Sequence, residues 1–150
     1  MIFIYYILSY EKFIKTGEVM RSQSDEEWID ILKRARDNGV LFQRVRFIDE
    51  PISDYVRYEI VTGYKYSISA GEEIRILNIS LDNINSNIPL KDFWLFDEEI
   101  CVLIKYGDFG EFLNLELVDN KLVYKYVELK KKLLFNSDKI QDTNYWKYVD

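Results

Sequence analysis

Two periods run through the hydrophobic positions of the chain. Between Ser24 and Gly39 the spacing is helical: Trp28, Ile31, Leu32 and Ala35 fall at i, i+3, i+4 and i+7, while Lys33, Arg34 and Arg36 lie off that stripe near the negative end of the dipole. Ser24-Asp25-Glu26-Glu27 has the form of a capping box and Gly39 that of a left-handed stop, which predicts a helix over residues 25–38. From Val40 to Ile48 the period is two, with Leu41, Val45 and Phe47 on one face and Arg44 and Arg46 on the other, the pattern of a half-covered strand. Asp49-Glu50-Pro51 breaks it. Ser53 can cap a second helix over residues 54–64, in which Val56, Ile60 and Tyr64 form an i, i+4, i+8 row, with Ser69-Ala70-Gly71 as its exit loop. Glu73 to Asn78 reads as a short strand carrying Arg75 among Ile74, Ile76 and Leu77.

The densest apolar stretch follows. Asp92 to Asp97, D-F-W-L-F-D, and the return run from Glu98 to Tyr106, E-E-I-C-V-L-I-K-Y, predict an antiparallel hairpin at the centre of a sheet. Gly107-Asp108-Phe109-Gly110 reads as a turn and Glu111 to Val118 as the third strand of a meander. A closing helix from Asp119 or Asn120 to about Leu134 would turn Leu122, Tyr126, Leu129 and Leu133 inward. The Asn-rich segment from Ile79 to Lys91 reads as a long loop. Ile4 to Lys15 fits a short aromatic helix or an edge strand ending at Gly17, and the tail is expected to be loose unless Tyr145, Trp146 and Tyr148 dock on the body.

Together these elements predict an α/β (α+β) fold with a mainly antiparallel central sheet of about five strands and helices packed on it. With 150 residues, 48% of them hydrophobic, one domain is expected, and segments 1–19 and 136–150 would be its peripheral parts. Such a domain buries roughly 70% of the surface of its extended chain. The 12 Tyr, 9 Phe and 3 Trp supply much of that burial. A net charge of −6 argues against bulk nucleic-acid binding. Cys101 is the only cysteine, so no intramolecular disulfide forms, and a buried thiol suits a reducing cytoplasm. Met1 to Leu8 is too short to span a bilayer and lacks the marks of a signal peptide, so no membrane association is expected; Met20 is a second potential start.

The chain contains no histidine, which removes the usual serine and cysteine triads and imidazole metal sites. Phosphate-binding glycine loops, dinucleotide fingerprints and C-x-x-C pairs are also missing, so no cofactor and no metal is expected. Asp92 and Asp97 stand at opposite ends of one strand, too far apart to act together on one bond. Asp97, Glu98 and Glu99 could hold a hard cation or simply form a solvated turn. On the second helix Asp54, Arg57 and Tyr58 share a face, and Tyr55 and Glu59 an adjoining one. With Arg44, Arg46, Glu73 and Arg75 these residues are candidates to recognise an anionic group by bidentate hydrogen bonds; the alternative is an ion-pair network tying helix to sheet. Trp94 and Asp97 complete the set of candidate ligand-binding residues.

Four segments carry a resemblance: W-x-x-x-L-x-x-A-x-x-x-G from Trp28 to Gly39, R-V-R-F-I-D-E-P-I-S-D-Y-V-R-Y-E from Arg44 to Glu59, A-G-E-E-I-R-I-L from Ala70 to Leu77, and D-F-W-L-F-D. Together they resemble an uncharacterised domain-of-unknown-function family common in actinobacteria. That resemblance implies a small cytoplasmic protein, in many cases encoded beside a helix-turn-helix regulator, with no established activity. The chain departs from it in being rich in Asn and Lys. The layout is also similar to half of a phospholipase D-type domain, whose catalytic motif needs a histidine that this chain lacks. The expected function is a non-enzymatic binding or regulatory module for a protein partner, such as a helix-turn-helix regulator, or for a small anionic ligand. The alternatives are a hydrolase or nuclease using carboxylates and a divalent ion, and a phage or mobile-element accessory protein that blocks a host complex.

Overall fold

The computed structural model describes residues 2–79, 88, 90–108 and 111–149, the side chains of residues 2–8 excepted. Most of the loop expected from Ile79 to Lys91, and the Phe109-Gly110 half of the turn expected before the third meander strand, lie outside the described residues. The fold is α/β as expected, but its strands form two sheets of three in place of one sheet of about five. Hydrophobic periodicity tells which face of a strand is covered and carries no information on which sheet the strand joins. The chain divides into two compact units, Met1–Asp82 with Ser137–Asp150, and Asn83–Asn136.

In the first unit, α1 (Ile2–Thr16) and α2 (Gln23–Asp37) precede β1 (Phe42–Ile48). The reciprocal cap of α2 starts two residues earlier than Ser24. The Asp25 amide donates to Ser22 Oγ at 3.2 Å and the Ser22 amide donates to the Asp25 carboxylate at 2.6 Å. An aspartate at the third position closes the box as well as a glutamate does, so the Ser24-to-Glu27 pattern overlapped a second one. The next helix runs on to Ala70, through α3 (Asp54–Glu59), a π turn at Ile60–Tyr64 and α4 (Lys65–Ala70), and stops at Gly71, whose φ is +111°. Steps of four residues drift by roughly 40° each around an α-helix. A widened turn takes up that drift, so Val56, Ile60, Tyr64 and Ile68 all reach one core.

Strands β1 and β2 (Glu72–Asn78) pair in parallel, from Phe42 opposite Glu72 to Ile48 opposite Asn78, because the helical crossover returns the chain to the same end of the sheet. The core beneath the helix holds Ile48, Ile60, Ile74 and Ile140, each essentially fully buried and worth about 2 kcal/mol of transfer free energy. The tail docks: β6 (Asp138–Lys139) pairs antiparallel with β2, and Val149, Tyr145 and Trp146 pack into this core.

The second unit is the expected meander of β3 (Phe93–Phe96), β4 (Ile100–Tyr106) and β5 (Phe112–Leu117) with α5 (Val123–Phe135). Phe93, Leu95, Cys101 and Leu103 face α5, where Val123, Tyr126 and Val127 meet them. Leu122, expected inward, precedes the helix in a 3-10 turn and is exposed, while Val123 takes the buried position. Among the described residues no helix is long and apolar enough to cross a membrane.

Candidate functional site

The charged candidates gather where β1 and β2 meet the helix. Even-numbered residues of β1 share one face, so Phe42 and Ile48 carry Arg44 and Arg46 with them under the helix. The arginine side of β1 is therefore covered too: Val45 and Phe47, expected to face inward, are half-buried like the arginines, and Leu77, paired with Phe47, is fully buried. Leu41 precedes the strand and is exposed. Arginine stems pack against apolar neighbours while their heads find carboxylates. Arg44 Nε donates to the buried Glu72 Oε1 at 2.8 Å, and Arg46 Nη2 meets Glu59 Oε2 at 2.7 Å. The Arg44 guanidinium also lies 5.6 Å from the centre of the Tyr64 ring.

Burial works against the charge of Arg44, but the Glu72 carboxylate, Tyr64 and Glu59 outweigh it and leave its pKa raised. Burial, reinforced by Glu59, pushes the Tyr64 hydroxyl up to about 12. Two guanidinium groups against two carboxylates leave the cluster near neutrality, so it offers an incoming anion no excess positive charge.

The remaining candidates have partners of their own. Arg57 Nη2 pairs with Asp54 at 3.0 Å on the exposed side of α3. Tyr55 joins Tyr10 and Tyr58 in a ring cluster, with centroids 5.7 Å apart for Tyr10 and Tyr55, which seats α1 on α3. The Ser9 and Tyr58 hydroxyls share a hydrogen bond of 2.5 Å in the same contact. Arg75 pairs with Glu73 at 3.4 Å and donates through Nε to Ser137 Oγ at 3.0 Å. Glu73 also receives Lys139 at 3.2 Å and Gln43 at 3.1 Å. Its burial is outweighed by these donors, and its pKa is lowered. The arginine, tyrosine and carboxylate candidates thus pair off with neighbours, Arg44, Arg46 and Tyr55 between elements and Arg57 with Asp54 inside α3. Glu72 and Tyr64 are the members that sequence reasoning missed; the parallel pairing that brings Glu72 beside Arg44 has no local signal.

In the second unit, Asp97 and Glu98 both have positive φ, 50° and 62°, and the Glu99 amide donates to the Phe96 carbonyl at 2.9 Å. This is the backbone of a tight hairpin turn, whose twist matches that of the strands. Glu98 pairs with Lys130 of α5 at 2.7 Å, which holds its carboxyl below the usual range. Asp92 accepts from the Tyr106 hydroxyl at 2.9 Å beside an open depression of about 410 Å³. Among the described residues, no group of three or more acidic or cysteine side chains is placed to hold a metal ion.

Trp94 stands on the face of the meander away from α5. Register places Trp94 opposite Val102 and Val102 opposite Leu117, with Phe96 opposite Ile100 and Ile104 opposite Leu115. These side chains share one face. Trp94 is 43% exposed, Phe96 44%, Ile100 51%, Leu115 58% and Leu117 67%. The charged pair nearby, Lys105 with Glu116 at 2.8 Å, belongs to alternate positions on the other side. The runs F-W-L-F and I-C-V-L-I are apolar at consecutive positions, as in strands covered on both faces, and that signal was legible in the sequence.

A family described as "Domain of unknown function (DUF6879)" matches residues 8–143. No curated protein and no solved structure matches the chain.

Proposed function

The chain belongs to the DUF6879 family, whose description assigns no activity, and on that footing we propose that it is a non-enzymatic binding module acting through a protein partner. The observation that carries this reading is the apolar outer face of the β3-β4-β5 meander, where five large side chains are between 43% and 67% exposed. Contiguous apolar patches beyond a few hundred Å² mark interaction sites on soluble proteins. The paired state of Arg44, Arg46, Arg57 and Arg75 supports a structural role for those residues and favours a protein over a small anion as the ligand. A regulatory role in the cytoplasm, beside a helix-turn-helix regulator, is the finer form of the proposal and rests on the four-motif resemblance.

The test is a photo-crosslinking residue placed at Leu115 or, as a control, at the exposed Lys121, in the full chain inside the cells that make it. A protein adduct formed from position 115 and not from 121 supports the reading. No adduct from 115, or metal-dependent turnover by the pure protein that is lost in Asp54→Ala or Asp97→Ala, overturns it.

A further inference from the structure

The helix that crosses from β1 to β2 is one residue longer than its packing requires. Val56 and Ile68 lie twelve positions apart and rest on the same core. Twelve α-helical steps would set them about 120° apart around the axis, whereas eleven would leave only about 20° between them. The wide turn at Ile60–Tyr64 absorbs the surplus residue, and both halves of the helix keep their places: Ile60 and Tyr64 stay buried, and Glu59 reaches Arg46. An ordinary α-helix one residue shorter would satisfy the same contacts.

The surplus residue is used on the side of the helix that faces α1. Bonds from i to i+5 fall out of step with the α-helical ladder on either side, and side chains enter the ladder at such a turn. The Thr62 hydroxyl donates to the Tyr58 carbonyl at 2.7 Å, and Arg21 Nη1 donates to the Thr62 carbonyl at 3.3 Å. The Arg21 side chain is only 18% exposed; it pairs with Glu26 at 2.8 Å and its guanidinium lies 3.8 Å from the centre of the Tyr66 ring. Arg21 belongs to the segment between α1 and α2, and α1 itself rests on α3 through Ser9 and Phe13 against Tyr58. We infer that the wide turn is a latch for α1: the surplus residue presents the Thr62 carbonyl to Arg21, and Arg21 fastens the root of α1 to the crossover helix. Closing the turn into ordinary α-helix frees that arm and leaves the core in place. The latch is independent of the binding reading above and stands or falls without it.

Hydrogen exchange of the purified full chain, read peptide by peptide by mass spectrometry, tests this. Deletion of Thr62 should leave the far-ultraviolet circular dichroism and the exchange of β2 as in the parent, while residues 9–16 of α1 exchange at least tenfold faster. Arg21→Met, which keeps the helix at its full length and reads the fastening by itself, should speed α1 by a similar factor and also leave β2 unchanged. Because both changes open one latch, the two combined should be no faster than either alone. Unchanged exchange of α1 in either variant overturns the inference, as does an additive effect of the two. A Thr62 deletion in which β2 exchanges freely overturns it as well, because the core would then depend on that residue.

Discussion

In β1 the arginines turn under a helix; in β3 and β5 a tryptophan and two leucines turn away from one. The first unit takes four charged groups into its helix–sheet contact and neutralises them in pairs, Arg44 with Glu72 and Arg46 with Glu59. The second leaves its outer apolar face uncovered and keeps its ion pairs, Lys105 with Glu116 and Lys130 with Glu98, at its rim. Covered charge is costly unless paired, and uncovered apolar surface is costly unless joined to something. The contrast gives the first unit's charges a structural part and makes the second unit's hydrophobes the surface on which the binding proposal rests.

The largest expected effect sharpens that contrast. Ile74→Ala opens a cavity in the fully buried core of the first unit and should cost about 3 kcal/mol. Leu115→Ala, at an exposed position, should stay within about 0.5 kcal/mol. Hydrogen exchange at the amides of β2 and of β4 reads the two separately. Comparable losses at both sites would mean that the meander's outer face is already a packed interior.

Breaking an ion pair tests the other half. Glu72 is buried, so Arg44→Met strands its carboxylate and should destabilise by about 3 kcal/mol. Replacing both partners, Arg44→Met with Glu72→Met, should recover much of that loss, as apolar replacements of buried pairs often do. A double mutant no more stable than the single one would show that each side chain has another role, ligand binding included.

How much of this was legible follows from the range of each signal. The helix over residues 25–38, the strand from Glu73, the hairpin around Asp97 and the third strand of the meander are local patterns, and the structure contains each within a few residues. The parallel pairing of β1 with β2 is a long-range choice, and with it came the cover on the arginine face of β1 and the unforeseen partner of Arg44. The π turn was hidden because an i, i+4, i+8 row reads as ordinary helix until its drift is counted. The exposed face was not foreseen for a different reason: consecutive apolar residues fit cover on both sides, but nothing local says what supplies the cover.

Alkaline pH separates the units by a smaller amount. An unfolded tyrosine ionises near pH 10, whereas Tyr64 is held up to about 12 by burial and by Glu59. Its protonated form is favoured in the folded state, so this contribution is fully present below about pH 10 and is lost as pH rises through about 12. The loss should be on the order of 2 kcal/mol across that window, with Tyr145, also held up to about 12 by burial and Glu50, adding in the same direction. Urea midpoints taken below and above the window should fall less steeply in Tyr64→Phe than in the parent. Equal slopes would mean that Tyr64 ionises without help from the fold.

The smallest effect concerns Asp97, which sequence reasoning held as a ligand candidate and geometry places in a turn. At φ 50° it occupies the left-handed region, where a residue with a Cβ is strained by about 1 kcal/mol and asparagine or glycine is favoured. Asp97→Asn keeps the side-chain shape, removes the charge and suits the backbone, so a turn residue should gain a few tenths of a kcal/mol. A ligand or catalytic carboxylate would behave oppositely: the same change would leave stability alone and remove binding or turnover. Slower exchange of the Glu99 amide, which donates to Phe96 across the turn, is the direct readout. Faster exchange there would show that the Asp97 charge holds the hairpin closed and that relief of backbone strain is the lesser term.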